Sequence, residues 1–161
     1  MTRIAIVEGD GIGREVIPVA KNVLELLHPE YEYFSVEIGY HRWEQTGCPC
    51  ADSDISELKT ADAILFGATT TPPMKDYQSV VLRMRKSFDL YANLRPVKGL
   101  GFDFMIVREN TEGLYSGIEE IGTDTATTLR VVTRKGTERI VRCALRLAQQ
   151  RSGRLTIGHK A

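Results

Sequence analysis

Short apolar runs separated by turn residues predict the strands in the first part of the chain. Residues 4–7 are apolar and mostly β-branched, and they end at the glycine-rich turn 8–11. This pattern is typical of a buried parallel strand. Alternating apolar positions predict a second strand over 33–38, and residues 61–68 predict a third strand that runs into a loop.

The segments between these strands have the spacing of helices. Pro18 fits a helix only in or near its first turn, and a second, shorter helix is predicted over 55–59. The alternation predicts βαβ units, hence an α/β fold with a mostly parallel sheet flanked by helices. The apolar positions of the first helix are Ile12, Val16, Val19, Ala20, Val23 and Leu27.

The pattern changes after Pro96. Two strand-like segments, 114–121 and the threonine-rich 125–133, are separated by a Gly-Thr-Asp turn and predict an antiparallel arm. A buried strand, an amphipathic helix and a last strand are predicted over 102–107, 138–150 and 155–157.

Proline and glycine cluster over 96–101, where we expect the chain to cross between domains. Residues 1–98 are predicted to form the first part of a large α/β domain, and residues 99–161 the start of a smaller one. Because the chain stops directly after a predicted core strand, we expect it to be part of a longer protein.

Composition excludes several classes of function. The 161 residues include 21 Lys and Arg and 21 Asp and Glu, so the formal net charge is zero. A nucleic-acid binder usually has a basic excess. No apolar run approaches the roughly 18 residues that span a membrane, and the N-terminus lacks the pattern of a signal peptide. Three cysteines form no disulfide framework, which predicts a cytoplasmic protein.

Candidate chemistry begins with the loop of residues 8–13, in which three glycines alternate with other residues. The spacing is not that of the dinucleotide fingerprint Gly-x-Gly-x-x-Gly. The loop is either a tight turn or a segment whose backbone approaches a ligand, and the residues alone do not choose between the two.

Arginines around a predicted helix-to-strand transition form a second candidate site. Arg85 and Arg95 can converge on one cleft, and paired guanidinium groups suit a small polycarboxylate. Arg108 follows a predicted strand, and Tyr115, seven residues further on, is a candidate general acid. Lys160 is a candidate proton-transfer group. The alternative for the arginines is a solvated basic helix face, for Tyr115 a packing role, and for Lys160 a solvated side chain. No set of His and Cys residues has the spacing of a metal site.

Three sequence blocks, 6–13, 85–96 and 107–115, resemble in order the first half of the β-decarboxylating dehydrogenases. That family includes isocitrate, 3-isopropylmalate, homoisocitrate and tartrate dehydrogenases. The resemblance covers essentially the whole chain. It implies hydride transfer from a 2-hydroxy acid to NAD or NADP, followed by loss of the β-carboxylate with the help of Mg²⁺ or Mn²⁺.

The resemblance also implies roles for individual residues. Tyr115 matches the tyrosine that protonates the enolate, and Lys160 matches the lysine that helps to deprotonate the hydroxyl group. Because that lysine acts in the neighbouring subunit's site, a homodimer or higher homo-oligomer is implied. The arginines that bind the substrate correspond to Arg85, Arg95 and Arg108, and the positions beside the cofactor to Ile12, Thr70 and Thr71.

Substrate choice is predicted from the helix that contains Ser79. Isocitrate and homoisocitrate enzymes have a serine there for a third carboxylate, but isocitrate enzymes usually add an asparagine where this chain has Val81. Val80, Val81 and Leu82 instead predict an apolar pocket for an isopropyl group. We predict 3-isopropylmalate, as in leucine biosynthesis, followed by homoisocitrate and then isocitrate.

The family's metal-binding aspartates are expected beyond residue 161, so we expect the 161-residue chain alone to be inactive. A non-catalytic regulatory or binding subunit is the alternative class. Such subunits tend to lose the tyrosine or the lysine, and this chain retains both.

Overall fold

The computed structural model describes residues 1–74 and 76–159. The chain forms two compact units, Met1–Phe88 and Asp89–Ala161, and each is described by itself. The units divide ahead of the predicted crossing at 96–101, which lies inside a hairpin of the second unit. The assignment of residues 1–98 and 99–161 to a large and a small domain stays a prediction.

The first unit is an α/β unit built on a parallel sheet, as predicted. Its three strands have the order β2-β1-β3, and both neighbours pair with β1 in parallel. A helix that the sequence pattern did not predict, α2, follows β2. The elements are β1 Arg3–Val7, α1 Gly13–Leu27, β2 Glu32–Ser35, α2 Tyr40–Thr46, α3 Asp52–Leu58, β3 Ala63–Phe66 and α4 Val80–Ser87.

The core of the first unit is made by β1, the residues after β2 and the helices α3 and α4. Leu58 is fully buried and Val80 is 1% exposed. The core cluster consists of Ala5, Val7, Val36, Ile38, Cys50, Ile55, Leu58, Tyr77, Val80 and Met84.

Helix α1 packs through a different face from the one predicted. Gly13 and Ile17 are its buried residues. The predicted stripe is exposed, with Val16 at 50% and Val19 at 62%. The physical reason is the start of the helix: a side chain at Gly13 would lie 2.2 Å from the Glu8 carbonyl oxygen, so the glycine side faces the strands. Pro18 lies inside α1 rather than in its first turn.

The second unit contains two antiparallel strand pairs and a helix. Strands β4 and β5 form one hairpin, and β6 and β7 form the other, which confirms the predicted antiparallel arm. Its helix lies against β5. The elements are β4 Ala92–Gly99, β5 Phe102–Glu109, β6 Gly113–Ile121, β7 Ala126–Val131 and α5 Arg134–Gln149.

Two predictions for this unit are wrong. Strand β5 was predicted as buried over 102–107, but Phe102 is 50% and Phe104 47% exposed. A two-stranded sheet with a helix against it leaves one face uncovered. Residues 155–157 are not a strand. An extended segment becomes a strand only by pairing, and in the described residues the pairs of this unit are β4 with β5 and β6 with β7.

Within residues 1–74 and 76–159, no helix combines the length and the apolar character needed to cross a membrane.

Candidate active site

The loops after β1 and β3 touch backbone to backbone at the carboxyl ends of the parallel strands. The Asp10 amide donates to the Ala68 carbonyl oxygen at 2.7 Å. A side chain at Gly9 would lie 2.0 Å from that same oxygen. The glycines of the β1–α1 loop therefore allow close packing of two loops, and these loops form one edge of the sheet.

The carboxylate of Asp10 holds this edge together. It accepts hydrogen bonds from the backbone amides of Tyr40 at 2.9 Å, His41 at 2.9 Å and Thr70 at 2.8 Å. Asp10 is 6% exposed. Sequence reasoning assigned it no role. The available signal was an acidic residue between two glycines in the loop that follows a buried strand.

The three predicted cofactor residues lie in these two loops. Ile12, at the start of α1, is 59% exposed, and Thr70 and Thr71 are exposed beyond β3. In a parallel sheet with order β2-β1-β3, the chain leaves β1 to one side and later returns to the other. Ligands of open α/β sheets bind in the crevice at that point, outside the carboxyl ends of the strands. The role of these residues in cofactor binding stays a prediction.

Helix α4 carries Ser79 and Arg85. Ser79 is the N-cap, and its hydroxyl accepts from the Leu82 amide at 3.5 Å. Val80 is buried in the core with Met84, so it cannot line a substrate pocket, contrary to the prediction. Arg85 is half-buried. It lies one helical turn after Val81 and Leu82, and these three residues share a face of the helix.

The β4–β5 hairpin brings two of the predicted arginines together. Arg108 lies opposite Asn93, and Arg95 lies opposite Ile106 in the next cross-strand pair on that face. Side chains alternate between faces along a strand, so Arg95 and Arg108 point to the same side as diagonal neighbours. The Arg95 Nε donates to Asn93 Oδ1 at 2.8 Å, and this hydrogen bond orients the Arg95 guanidinium.

Tyr115 joins this pair from the neighbouring hairpin. Arg108 Nη2 donates to the Tyr115 hydroxyl at 2.7 Å, and the guanidinium carbon lies 5.4 Å from the centre of the ring. The phenol is the acceptor in this hydrogen bond, so its own proton is not used in it. Arg95, Arg108 and Tyr115 together form what we call the arginine–tyrosine face.

The turn between Arg108 and Tyr115 is fixed by carboxylates. Glu109 accepts from the Thr111 amide at 3.0 and 3.1 Å and from the Glu112 amide at 2.8 Å. Glu112 in turn accepts from the amide and hydroxyl of Thr133, the N-cap of α5. The hydrogen bonds from Thr133 hold the pKa of Glu112 below its usual value.

Arg139 ties α5 to the same turn. It donates to both carboxylate oxygens of Asp89 at 2.7 and 3.0 Å and to the Thr111 hydroxyl at 2.6 Å. Its guanidinium carbon lies 4.7 Å from the centre of the Tyr91 ring. Sequence reasoning missed this supporting set, because its partners are far apart in the chain and share no local pattern.

Ser79 and Arg85 lie in the first unit, whereas Arg95, Arg108 and Tyr115 lie in the second. Lys160, the predicted lysine, lies outside the described residues. In the described part of the chain, no group of three or more His, Cys, Asp or Glu side chains could hold a metal ion.

Comparison with known proteins decides the family. The sequence profile described as isocitrate/isopropylmalate dehydrogenase matches residues 3–161. The chain belongs to this family. The recognition made from the three sequence blocks is thereby confirmed.

Individual members of the family extend the match. The chain is 43% identical to the isocitrate/homoisocitrate dehydrogenase of Pyrococcus horikoshii, over 100% of this chain and 48% of that protein. It is 39% identical to the 3-isopropylmalate/3-methylmalate dehydrogenase of Methanocaldococcus jannaschii, over 100% of this chain and 51% of that protein. The chain thus spans about half the length of these curated relatives.

A solved structure confirms the fold. The isocitrate dehydrogenase of Methylococcus capsulatus superposes with a TM-score of 0.85 at 34% identity, over 93% of this chain and 48% of that one. The predicted isopropylmalate-dehydrogenase-like α/β fold is therefore confirmed for the part of the family chain that is present.

Proposed function

We propose that the protein containing this chain catalyses the NAD- or NADP-dependent oxidative decarboxylation of a 3-substituted malate. The observation that carries the proposal is the arginine–tyrosine face, in which Arg95 and Arg108 are diagonal neighbours and Arg108 is bonded to Tyr115. Family membership supplies the reaction class, and this face supplies groups that suit its substrate.

Two guanidinium groups on one face of a hairpin repel each other unless an anion lies between them. A carboxylate can accept two parallel hydrogen bonds from an arginine, which fixes its orientation as well as its position. The Asn93 contact restrains Arg95, and the Tyr115 contact restrains Arg108. The two restrained guanidinium groups therefore suit a single malate carboxylate better than they suit a diffuse anionic surface.

Tyr115 is proposed to protonate the substrate after decarboxylation. Loss of carbon dioxide leaves an electron pair on the substrate carbon, which must take up a proton. Arg108 donates to the phenolic oxygen and so restrains the hydroxyl group that is proposed to supply this proton. Lys160 is proposed, from the family motif alone, to help remove the hydroxyl proton in a neighbouring subunit's site, which requires at least a homodimer.

When bound, NAD or NADP would supply the hydride acceptor for the hydroxyl-bearing carbon, and Mg²⁺ or Mn²⁺ would supply a Lewis acid for the oxygen there. Ile12, Thr70 and Thr71 are proposed to contact the nicotinamide end of the cofactor, because they lie at the crevice between the loops after β1 and β3. The metal-binding aspartates are proposed to come from residues beyond 161. We further propose a cytoplasmic enzyme without nucleic-acid or membrane partners.

The identity of the 3-substituent is the finer part of the proposal. Val80 is part of the core, which leaves Val81 and Leu82 as the apolar support for 3-isopropylmalate. Ser79 accepts one hydrogen bond, and the described residues give its hydroxyl proton no acceptor. The relative named isocitrate/homoisocitrate dehydrogenase is 43% identical. These observations favour a third carboxylate, so we place homoisocitrate or isocitrate first and 3-isopropylmalate second.

Arg95→Lys tests the arginine–tyrosine face in the full-length gene product. Lysine keeps the charge and loses the two-pronged contact, so we expect a loss of about 2–4 kcal/mol in transition-state binding. The measurement is kcat/KM with each of the three acids. Arg151→Lys is the matched control, because Arg151 pairs with Asp103 on the opposite face of β5. Equal, small effects in both variants would contradict the proposed role.

Ser79→Ala tests the substituent. If Ser79 donates to a third carboxylate, the alanine variant should lose about tenfold or more in kcat/KM for homoisocitrate or isocitrate, because a charge-assisted hydrogen bond contributes roughly 1.5–3 kcal/mol. Ser56→Ala, which removes a hydroxyl bonded to the Asp52 carbonyl in α3, is the control. A wild-type preference for 3-isopropylmalate that Ser79→Ala leaves unchanged would reverse the order of substrates.

Turnover itself separates an enzyme from a regulatory subunit. We expect the full-length protein to reduce NAD or NADP with one of these acids in the presence of Mg²⁺ or Mn²⁺ and to stop on addition of a chelator. The 161-residue chain alone is expected to show no turnover. Substrate binding without turnover by the full-length protein would favour the regulatory class.

A further inference from the structure

Asp10 occupies an unusual position for a carboxylate. It is 6% exposed, and its hydrogen-bond partners are three backbone amides, two from the start of α2 and one from the loop after β3. A buried carboxylate is costly unless its oxygens are satisfied. Among the described residues, the donors belong to the backbone of two other segments, so the Asp10 side chain connects these segments.

The two carboxylate oxygens of Asp10 accept hydrogen bonds from different amides. Oδ2 accepts from both the Tyr40 amide at 2.9 Å and the Thr70 amide at 2.8 Å, and Oδ1 accepts from the His41 amide at 2.9 Å. One oxygen atom therefore joins the start of α2 to Thr70. An amide side chain at position 10 cannot reproduce this arrangement, since its nitrogen would face one of the donors.

Gly39 shows that the carboxylate is closely confined. Its φ of +138° is one that side-chain-bearing residues rarely adopt, and a Cβ there would lie 2.6 Å from Asp10 Oδ1. Alanine at position 39 would displace the carboxylate without removing its charge. Asp10 can thus be perturbed in two independent ways, by changing its chemistry or by moving it.

Thr70 lies where the sheet topology predicts a ligand. In the order β2-β1-β3, the connections diverge between β1 and β3, and open α/β sheets bind ligands in the crevice beyond the strand ends at that point. The loop after β1 contains Asp10, and the loop after β3 contains Thr70. The Asp10 carboxylate therefore bonds the backbone of the second loop at Thr70, in addition to the backbone hydrogen bond between Asp10 and Ala68.

We propose that Asp10 is a positioning residue for cofactor binding, whose carboxylate holds the Thr70 backbone in the conformation that receives the nicotinamide end of NAD or NADP. This inference rests on the proposed function for the identity of the ligand. It assigns Asp10 no contact with the cofactor or the substrate.

The test compares wild type, Asp10→Asn and Gly39→Ala in the full-length gene product. Hydrogen exchange of residues 67–71 reports the loop, and fluorescence titration with NADH and NADPH reports cofactor affinity. We expect faster exchange and about a tenfold or greater rise in cofactor Kd in both variants, the scale of one charge-assisted hydrogen bond. The KM for the hydroxy acid should change by less than about twofold at saturating cofactor, since the arginines bind that ligand.

Asp54→Asn is the matched control. Asp54 is also a shielded carboxylate of the first unit, accepting from the Ala51 amide at 2.6 Å and pairing with Arg42, but it does not contact the Thr70 loop. A purely structural role for Asp10 would lower thermal stability and both ligand affinities in parallel, which is the result expected for Asp54→Asn. That outcome would overturn the proposal, and so would unchanged exchange at residues 67–71 in Asp10→Asn.

The proposed function is tested by a separate measurement, which is turnover by the wild-type protein. If wild type turns over a 3-substituted malate and Asp10→Asn keeps wild-type cofactor affinity, the positioning role is wrong and the function stands. If wild type binds NADH or NADPH without turnover and Asp10→Asn binds it about tenfold more weakly, the positioning role stands and the function falls. Wild type that binds neither cofactor overturns both.

Discussion

The two units of the chain are stabilised by different interactions. In Met1–Phe88 the parallel sheet and helices enclose an apolar core, and Leu58 is fully buried within it. In Asp89–Ala161 the buried residues among those described are Asn110 and Gly136, and the contacts that fix the turn after β5 are hydrogen bonds to Glu109, Glu112 and Arg139. The stability of the first unit should therefore depend mainly on side-chain volume in the core, and that of the second unit on side-chain charge.

This difference matches the chemistry that each unit is proposed to contribute. Backbone loops that must keep a fixed shape for a cofactor are attached to a packed sheet, which resists deformation. The arginine–tyrosine face is oriented instead by a network of carboxylates and guanidinium groups. Such networks set direction well, but they depend on protonation and ionic strength.

The largest expected effect is loss of core volume in the first unit. Leu58→Ala should lower the free energy of unfolding by about 2–5 kcal/mol, because it leaves a cavity at a fully buried site. Leu94→Ala makes the same chemical change at a 46% exposed site in β4 and should cost about 1 kcal/mol or less. Urea unfolding of the 161-residue chain measures both. Equal losses would mean that the second unit also depends on apolar burial.

A smaller effect is expected from the charge network of the second unit. Arg139→Lys keeps the charge but cannot bond Asp89 and Thr111 at once, so we expect a loss of about 1.5 kcal/mol. Arg83→Lys in the first unit, whose partner Asp52 is fully exposed, should change stability by less than about 0.5 kcal/mol.

Added salt should affect the stability differences of the charge variant and the core variant differently. Added salt should narrow the difference between wild type and Arg139→Lys, because the exposed Asp89 partner is screened. The same salt should leave the Leu58→Ala difference unchanged. A salt-independent Arg139 effect would indicate a packing role for this side chain.

The smallest effect concerns the start of α5. Thr133→Ala removes the N-cap bond to the Gly136 amide and the hydroxyl bond to Glu112, at a cost of about 1 kcal/mol. The folded pKa of Glu112 is lowered from its ordinary value of 4.5 by Thr133. Its contribution is thus fully present at pH values above 4.5 and is lost as pH falls through the lower folded pKa.

The stability difference between wild type and Thr133→Ala should therefore shrink in acid. Unfolding measured from neutral pH downwards gives this profile. Thr137→Ala, one turn later in α5, removes a hydroxyl bonded only to the Thr133 carbonyl and should show no such dependence. A stability difference between wild type and Thr133→Ala that stays constant at every pH would show that the effect of Thr133 does not depend on Glu112.

The sequence predicted those elements whose signal is local. Strand β1 was predicted because its apolar run is continuous and ends at glycines. The β6–β7 arm was predicted because turn residues separate two strand-like segments. Helix α2 was missed, because its first amides are bonded to Asp10, far back in the chain. No pattern within residues 40–46 contains that information.

The candidate site was predictable in its residue types and not in its arrangement. Arg95, Arg108 and Tyr115 were selected for their chemistry and family motif. That Arg95 and Arg108 share a face follows only from the register of β4 and β5, which depends on the hairpin turn. The buried position of Val80 was missed, because a helix of eight residues allows either face to be the packed one.

The glycines of the two touching loops have a consequence for how this sequence can change. A side chain at Gly13 would lie 2.2 Å from the Glu8 carbonyl oxygen, and one at Gly67 would lie 2.1 Å from the same oxygen. The first alanine substitution must displace that carbonyl, and the second then meets an oxygen that has already moved. The two substitutions are thus energetically coupled, because the shift that one forces on the carbonyl changes the space at the other. Along an evolutionary path, the tolerance of each glycine position for a side chain therefore depends on the residue at the other.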